Sequence, residues 1–99
     1  MDCILSIDSG LTVTKAVLFD LKGKQLGVVR KNVRQLMPHP RHVERDMDDL
    51  WTQTASAIRE VIAAVGIDAG EILAVAATAH GDGIYLLDEE ARPLGSGVL

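Results

Sequence analysis

CILSIDSGLTVTKAVLFD, residues 3–20, holds two β-rich runs separated by a tight turn. Cys3 to Ile7 is a short apolar run ending in Asp8, and Ser9-Gly10 supplies turn chemistry. Val13 to Phe19 is β-rich again and ends in Asp20. Leu21-Lys22-Gly23-Lys24 forms a second turn, and Gln25 to Val33 a third strand. Two tight turns between three adjacent strands predict an antiparallel meander.

Downstream, residues 34–45 contain two prolines and no periodicity, which predicts a loop. Trp51, Ala55, Ile58, Ile62 and Val65 then recur at the spacing of an amphipathic helix, with Trp51 expected as a core anchor. Asp46 is the expected N-cap, Asp48 and Asp49 suit the positive end of the helix dipole, and Gly66 is placed to end the helix. Leu73 to Ala77 reads as a strand, Ala79 to Gly83 as a turn, and Ile84 to Leu87 as another strand. A strand returning after a helical crossover is usually parallel to an earlier one. The expected fold is therefore α/β: a mixed sheet built from a three-strand meander, a helix crossover and further strands. That arrangement suits a ribonuclease-H-like (actin-like ATPase) half-domain.

Composition sets the outer bounds. Hydrophobic residues make up 47% and charged residues 24%, ordinary values for a globular chain. Ninety-nine residues bury only ~60–65% of their unfolded surface, so the core is small. The net charge is −4 with scattered Lys and Arg, which gives no basic patch for nucleic acid or an anionic membrane. Cys3 is the only cysteine, so there is no internal disulfide and no zinc-ligand spacing. No signal-peptide pattern or membrane-length apolar run is present, which makes the cytoplasm the default compartment. The chain stops on apolar residues, Val98-Leu99, that read as leading into a further strand, so a truncated or partial product is expected.

Two turns carry the chemistry. In Asp8-Ser9-Gly10-Leu11-Thr12-Val13-Thr14-Lys15, Gly10 permits close approach of backbone to ligand, and successive N–H groups can form an anion-binding concavity. Thr12 and Thr14 add hydroxyls, Lys15 adds positive charge, and Asp8 could hold Mg²⁺, an ion usually bound by one or two carboxylates plus phosphate oxygens. Locally the same residues also read as a polar hairpin turn with a surface lysine. In His80-Gly81-Asp82-Gly83, two glycines around an acid can present its carboxylate to a polyol; a plain Asp-Gly hairpin turn is the alternative. By itself His80 reads as a structural or solvent-facing histidine. Val43-Glu44-Arg45-Asp46 reads as loop and cap with no assigned chemistry, and His39 and His42 lack further ligands for a metal.

Together these segments resemble the FGGY family of carbohydrate kinases. Asp8-Ser9-Gly10 with Lys15 and Phe19-Asp20 is similar to its first phosphate motif. Val43-Glu44-Arg45-Asp46 through Leu50-Trp51 is similar to its V-E-x-D…L-W segment. Ala74 to Asp88 and Arg92-Pro93-Leu94 are similar to its strand–turn–strand ending in LLD…RPL. The resemblance implies ATP-dependent phosphorylation of a sugar or polyol between two actin-like domains, with Mg²⁺ present. It implies Asp8 as the metal-associated residue and Ser9, Gly10, Leu11, Thr12, Val13 and Lys15 around the nucleotide phosphates. Leu11 stands where threonine is common, which keeps the backbone donor and loses one hydroxyl. Lys15 stands where glycerol kinases have arginine. His80, Gly81 and Asp82 are implied at the substrate, and the Gly-Asp-Gly version is similar to erythritol and L-xylulose kinases, which implies a pentulose or a small polyol such as a tetritol.

The resemblance implies that residues 1–99 are the N-terminal part of the first domain. The catalytic base would then lie in the remaining lobe, with no catalytic residue in this segment and little activity from it alone. Another actin-like ATPase or phosphotransferase is a competing reading. So is a non-catalytic binding module, or a homo-oligomer formed through an open sheet edge.

Overall fold

The computed structural model describes residues 1–99. β1 (Cys3–Ser9), β2 (Val13–Asp20) and β3 (Gln25–Asn32) form the expected antiparallel meander. The β1–β2 turn is closed by the Gly10 N–H donating to the Val13 carbonyl at 2.9 Å. A Cβ on Gly10 would lie 3.0 Å from that oxygen, so glycine is needed here for close packing within the turn. At the second turn the Asp20 carboxylate accepts from the Lys22 and Lys24 N–H groups, both at 2.9 Å. Such a side-chain clasp substitutes for backbone partners that the four-residue reversal leaves free.

The crossover helix α1 spans Met47–Val65. Asp46 caps it by accepting from the N–H groups of Asp48 and Asp49, and Gly66 ends it in the left-handed conformation at φ 80°. After a short 3-10 turn, Ala69–Glu71, the chain enters β6 (Ile72–Ala79), which runs parallel to β1. The sheet order is β3-β2-β1-β6, with α1 packed across β2 and β3. Alternate residues of a strand share a face. Cys3 and Leu5 of β1 with Ala16 and Leu18 of β2 therefore meet Ala57 and Val61 of α1 in the core. The opposite face carries Ile4 beside Phe19, Ser6 beside Val17, and Asp8 beside Lys15.

Three sequence expectations change. The helix buries Thr54, Ala57 and Val61, with Ile58, Ile62 and Val65 partly covered, a stripe rotated from the one through Trp51 and Ala55. Trp51 is 67% exposed and is no core anchor. The seam runs through Thr54 in the third turn of the helix, whose hydroxyl lies 3.3 Å from that of Thr14 on β2. Residues 34–45 are not all loop: β4 (Gln35–Leu36) and β5 (Glu44–Arg45) pair with each other, and β5 pairs with β7 (Gly97–Val98), giving a second sheet of order β4-β5-β7. The prolines Pro38 and Pro40 are confined to the connection between β4 and β5. The chain's last residues thus pair in this small sheet and add nothing to the main one. Finally, Ile84 to Leu87 is not a strand. It makes two isolated bridges, Ile84 to Val98 and Leu87 to Pro93, because the segment folds back on residues 93–98 around a turn clasped by Asp88.

Candidate functional site: two turns joined by a buried arginine

Because β1 and β6 are parallel neighbours, with Ser9 beside Ala79, their carboxyl ends leave the sheet together. Ligands of open α/β sheets collect outside such strand ends. The two turns singled out from sequence, 9–13 and 80–83, therefore lie side by side. The His80 N–H donates to the Ser9 carbonyl at 3.1 Å and fastens one turn to the other.

Asp8 and Lys15 are cross-strand partners on the face opposite α1, with Lys15 Nζ 3.7 Å from Asp8 Oδ2. Both side chains are partly exposed, and an exposed pair of this kind contributes only about 0–1 kcal/mol. Either charge is thus free to engage a ligand at little cost. No group of three or more His, Cys, Asp or Glu gathers anywhere in the chain. Asp8 offers a single carboxylate, which fits Mg²⁺ only in the mode where phosphate oxygens and water complete the shell.

Within the first turn the backbone donors divide. The Gly10 N–H is used by Val13, but the N–H groups of Leu11 and Thr12 have no acceptor in the chain. Two adjacent free donors on an exposed turn form the core of an anion concavity. The Thr12 carbonyl accepts from Val33, which fixes the turn from its far side. Thr14 drops out of the expected donor set: its side chain is fully buried and its hydroxyl is directed at Thr54, whose own hydroxyl donates to the Leu50 carbonyl.

In the second turn, Gly81 and Asp82 are exposed, and the Asp82 carboxylate engages no group of the chain. His80 is turned inward. Its Nε2 lies 2.9 Å from the Tyr85 hydroxyl and 3.2 Å from Arg45 Nη1. A Cβ at position 83 would sit 2.6 Å from the Tyr85 ring and 2.8 Å from the His80 ring, so only glycine lets the turn close over this pair. The structure therefore places Gly81 and Asp82 at the surface of the turn and His80 behind it.

From sequence Arg45 reads as loop and cap within Val43-Glu44-Arg45-Asp46, with no assigned chemistry, and Tyr85 is not singled out. Arg45 is fully buried at the end of β5 and sends Nη1 to the Gly10 carbonyl at 2.9 Å, to His80, and to the Tyr85 hydroxyl at 3.3 Å. Its Nε and Nη2, with His80 Nδ1, are enclosed without partners. No local signal marks this arginine, because its burial depends on the pairing of β5 with β7. Beside the cluster, a depression of about 410 Å³ is lined by Ile7, Leu50, Trp51, Tyr85, Leu87 and Pro93, which explains where the indole of Trp51 lies.

Comparison with known proteins matches residues 3–99 to the FGGY family of carbohydrate kinases, N-terminal domain. A probable L-xylulose kinase of Pasteurella multocida (strain Pm70) is 41% identical over 99 residues, which is 100% of this chain and 20% of that protein. An L-xylulose/3-keto-L-gulonate kinase of Escherichia coli (strain K12) is 36% identical over 95 residues, 96% of this chain and 19% of that protein. Among solved structures, a xylulose kinase from Brucella ovis superposes with a TM-score of 0.88 at 27% identity, covering 98% of this chain and 20% of that one. The chain thus spans about a fifth of the length of these relatives.

Proposed function

Since the chain belongs to the FGGY family of carbohydrate kinases, we propose that the protein carrying it transfers the terminal phosphoryl group of ATP to a hydroxyl of a small sugar or polyol. A pentulose or a tetritol is the favoured class of acceptor, in line with the L-xylulose kinases it is similar to. Residues 1–99 are the N-terminal part of the first actin-like domain. They supply the first phosphate turn and part of the sugar site, and the rest of the protein supplies the base that takes the hydroxyl proton. An ATP-dependent reaction on a small metabolite belongs in the cytoplasm. No helix here is long and apolar enough to cross a membrane.

The observation that carries this reading is the fastening, by the Ser9–His80 hydrogen bond, of a turn with two free backbone donors at Leu11 and Thr12 to a turn that exposes the unpartnered carboxylate of Asp82. Phosphoryl transfer depends chiefly on positioning and on charge stabilisation. The Leu11 and Thr12 N–H groups and the Lys15 ammonium hold phosphate oxygens, and Asp8 binds Mg²⁺ on the same side. Bound Mg²⁺ neutralises charge on the transferring phosphate. Asp82 accepts hydrogen bonds from the hydroxyls of a neutral sugar, which orients the acceptor towards the first turn.

The test is a panel of pentuloses, pentitols and tetritols, offered to the intact protein with Mg–ATP while ADP release and sugar phosphate are followed. At least one member should be phosphorylated. Absence of sugar-dependent ADP release over the whole panel, by protein that binds Mg–ATP, overturns the reading.

A further inference from the structure

A guanidinium buried without a carboxylate is costly, and so is each enclosed donor left unpaired. Arg45 is in that position: no acidic group pairs with it, and Nε and Nη2 have no partner. What it does engage is specific. One nitrogen reaches the first turn at the Gly10 carbonyl and the second turn at His80 and Tyr85. Resting on the phosphoryl-transfer reading above, we propose that Arg45 is a positioning residue that sets the two turns relative to each other and aims the Leu11 N–H at the nucleotide phosphate.

Two pieces of geometry support this. Every peptide bond in the chain is trans, so the C=O and N–H of one peptide unit point in opposite directions. Holding the Gly10 carbonyl inward on Arg45 therefore turns the Leu11 N–H outward, where it has no acceptor in the chain. A charged donor on that carbonyl also polarises the peptide and strengthens the same N–H as a donor. The second piece is the tautomer of His80. Arginine remains protonated and has only donors, so the imidazole nitrogen facing it must present a lone pair. Nε2 accordingly accepts from Arg45 Nη1, which leaves the ring N–H at the enclosed Nδ1. With Nε2 so engaged, His80 is part of the support beneath the turn. Lysine does not reproduce the arrangement, since its stem is one bond shorter and its ammonium falls short of the place where Nη1 reaches Gly10, His80 and Tyr85 together.

The experiment uses the intact protein, with kcat per folded site and both KM values measured separately for Arg45→Lys and Arg45→Met. A displacement of about 1 Å between reacting groups can cost on the order of a hundredfold in rate. Arg45→Met should lower kcat by about a hundredfold, and Arg45→Lys by at least tenfold, with KM for ATP and for sugar within about threefold of the parent. A kcat per folded site within threefold of the parent for either variant overturns the proposal, as does a change confined to one KM. Should Arg45→Met fail to fold, Arg45→Lys and Tyr85→Phe decide. Tyr85→Phe removes one arm only and should lower kcat several-fold without moving either KM; an unchanged kcat there counts against the proposal. Histidine-selective ¹⁵N NMR of the parent provides a readout independent of activity. His80 should show the Nδ1–H tautomer, and an Nε2–H signal overturns the contact on which the proposal stands. If no sugar is phosphorylated, the kinase reading fails while the tautomer still tests the contact. If sugar is phosphorylated and the Arg45 variants turn over normally, only the positioning role fails.

Discussion

Asp8 and Asp82 sit at two ends of the site, and their variants should differ in what they lose. Asp8 is partly exposed and its partner Lys15 is 3.7 Å away, a pair that adds about 0–1 kcal/mol to stability. In the intact protein Asp8→Ala should leave the melting temperature nearly unchanged and lower turnover by about a hundredfold or more, as removal of a charge-stabilising group does. Near-normal turnover with Mg²⁺ as the sole metal would remove Asp8 from the metal site. Asp82 touches nothing in the chain, so Asp82→Asn should not affect folding. Asparagine keeps an acceptor oxygen and loses the charge, a difference of about 1–1.5 kcal/mol per bond, so the sugar KM should rise roughly five- to tenfold while that for ATP holds. A reversed pattern, with ATP affinity lost and sugar binding kept, would assign Asp82 to the phosphate side. At this scale the sequence was readable for local placement, as with Asp8 near the end of β1, Lys15 in β2 and Asp82 in the turn after β6. It was silent where the role comes from pairing of distant segments. Thr14 and Lys15 are adjacent in sequence, yet the pleat sends one into the core and the other to the open face.

The meander and the α1 caps are local events, which is why they could be read from the sequence: Asp20 clasps its own turn and Asp46 caps its own helix. The rotation of the helix stripe away from Trp51 is a tertiary outcome, decided at the seam between α1 and β2. There the Thr14 hydroxyl, fully buried, meets Thr54 at 3.3 Å. Thr54→Val leaves the Thr14 hydroxyl enclosed with no partner, which should cost about 1–3 kcal/mol in chemical denaturation. Adding Thr14→Val should restore much of that loss, because replacing both partners by apolar groups of like shape is close to neutral. A double variant no more stable than Thr54→Val would show that the two hydroxyls do not work as a pair. The small sheet β4-β5-β7 went unread for a related reason. Two-residue strands carry no periodicity, and the partner of β5 lies at the far end of the chain. Arg45, which that sheet buries, was hidden with it.

At the scale of the whole molecule the balance of surface and core is uneven. Only 11 of the 99 residues are buried, and the six that form the hydrophobic core lie on one side of the sheet between α1 and the meander. β6 is an edge strand whose Leu73 and Val75 are about 60% exposed, and Ile84, Leu86, Leu87 and Leu94 add further apolar surface. Contiguous apolar surface and an unpaired strand edge favour association. The 99 residues expressed alone should therefore self-associate at micromolar concentration and bind a hydrophobic dye, as followed by sedimentation and fluorescence, whereas the intact protein should bind far less dye per molecule. The same isolated chain should neither phosphorylate sugars nor hydrolyse ATP. It holds the two turns proposed to bind phosphate and sugar, but nothing in it faces them from the opposite side of a cleft, and phosphoryl transfer without enclosure lacks most of the positioning that lowers its barrier. A monodisperse, dye-free preparation would show that the exposed face is stable in water as it stands. Sustained Mg²⁺-dependent product formation by such a preparation would show that the two turns and Arg45 are a sufficient catalytic unit, and would overturn the two-lobed reading of the site.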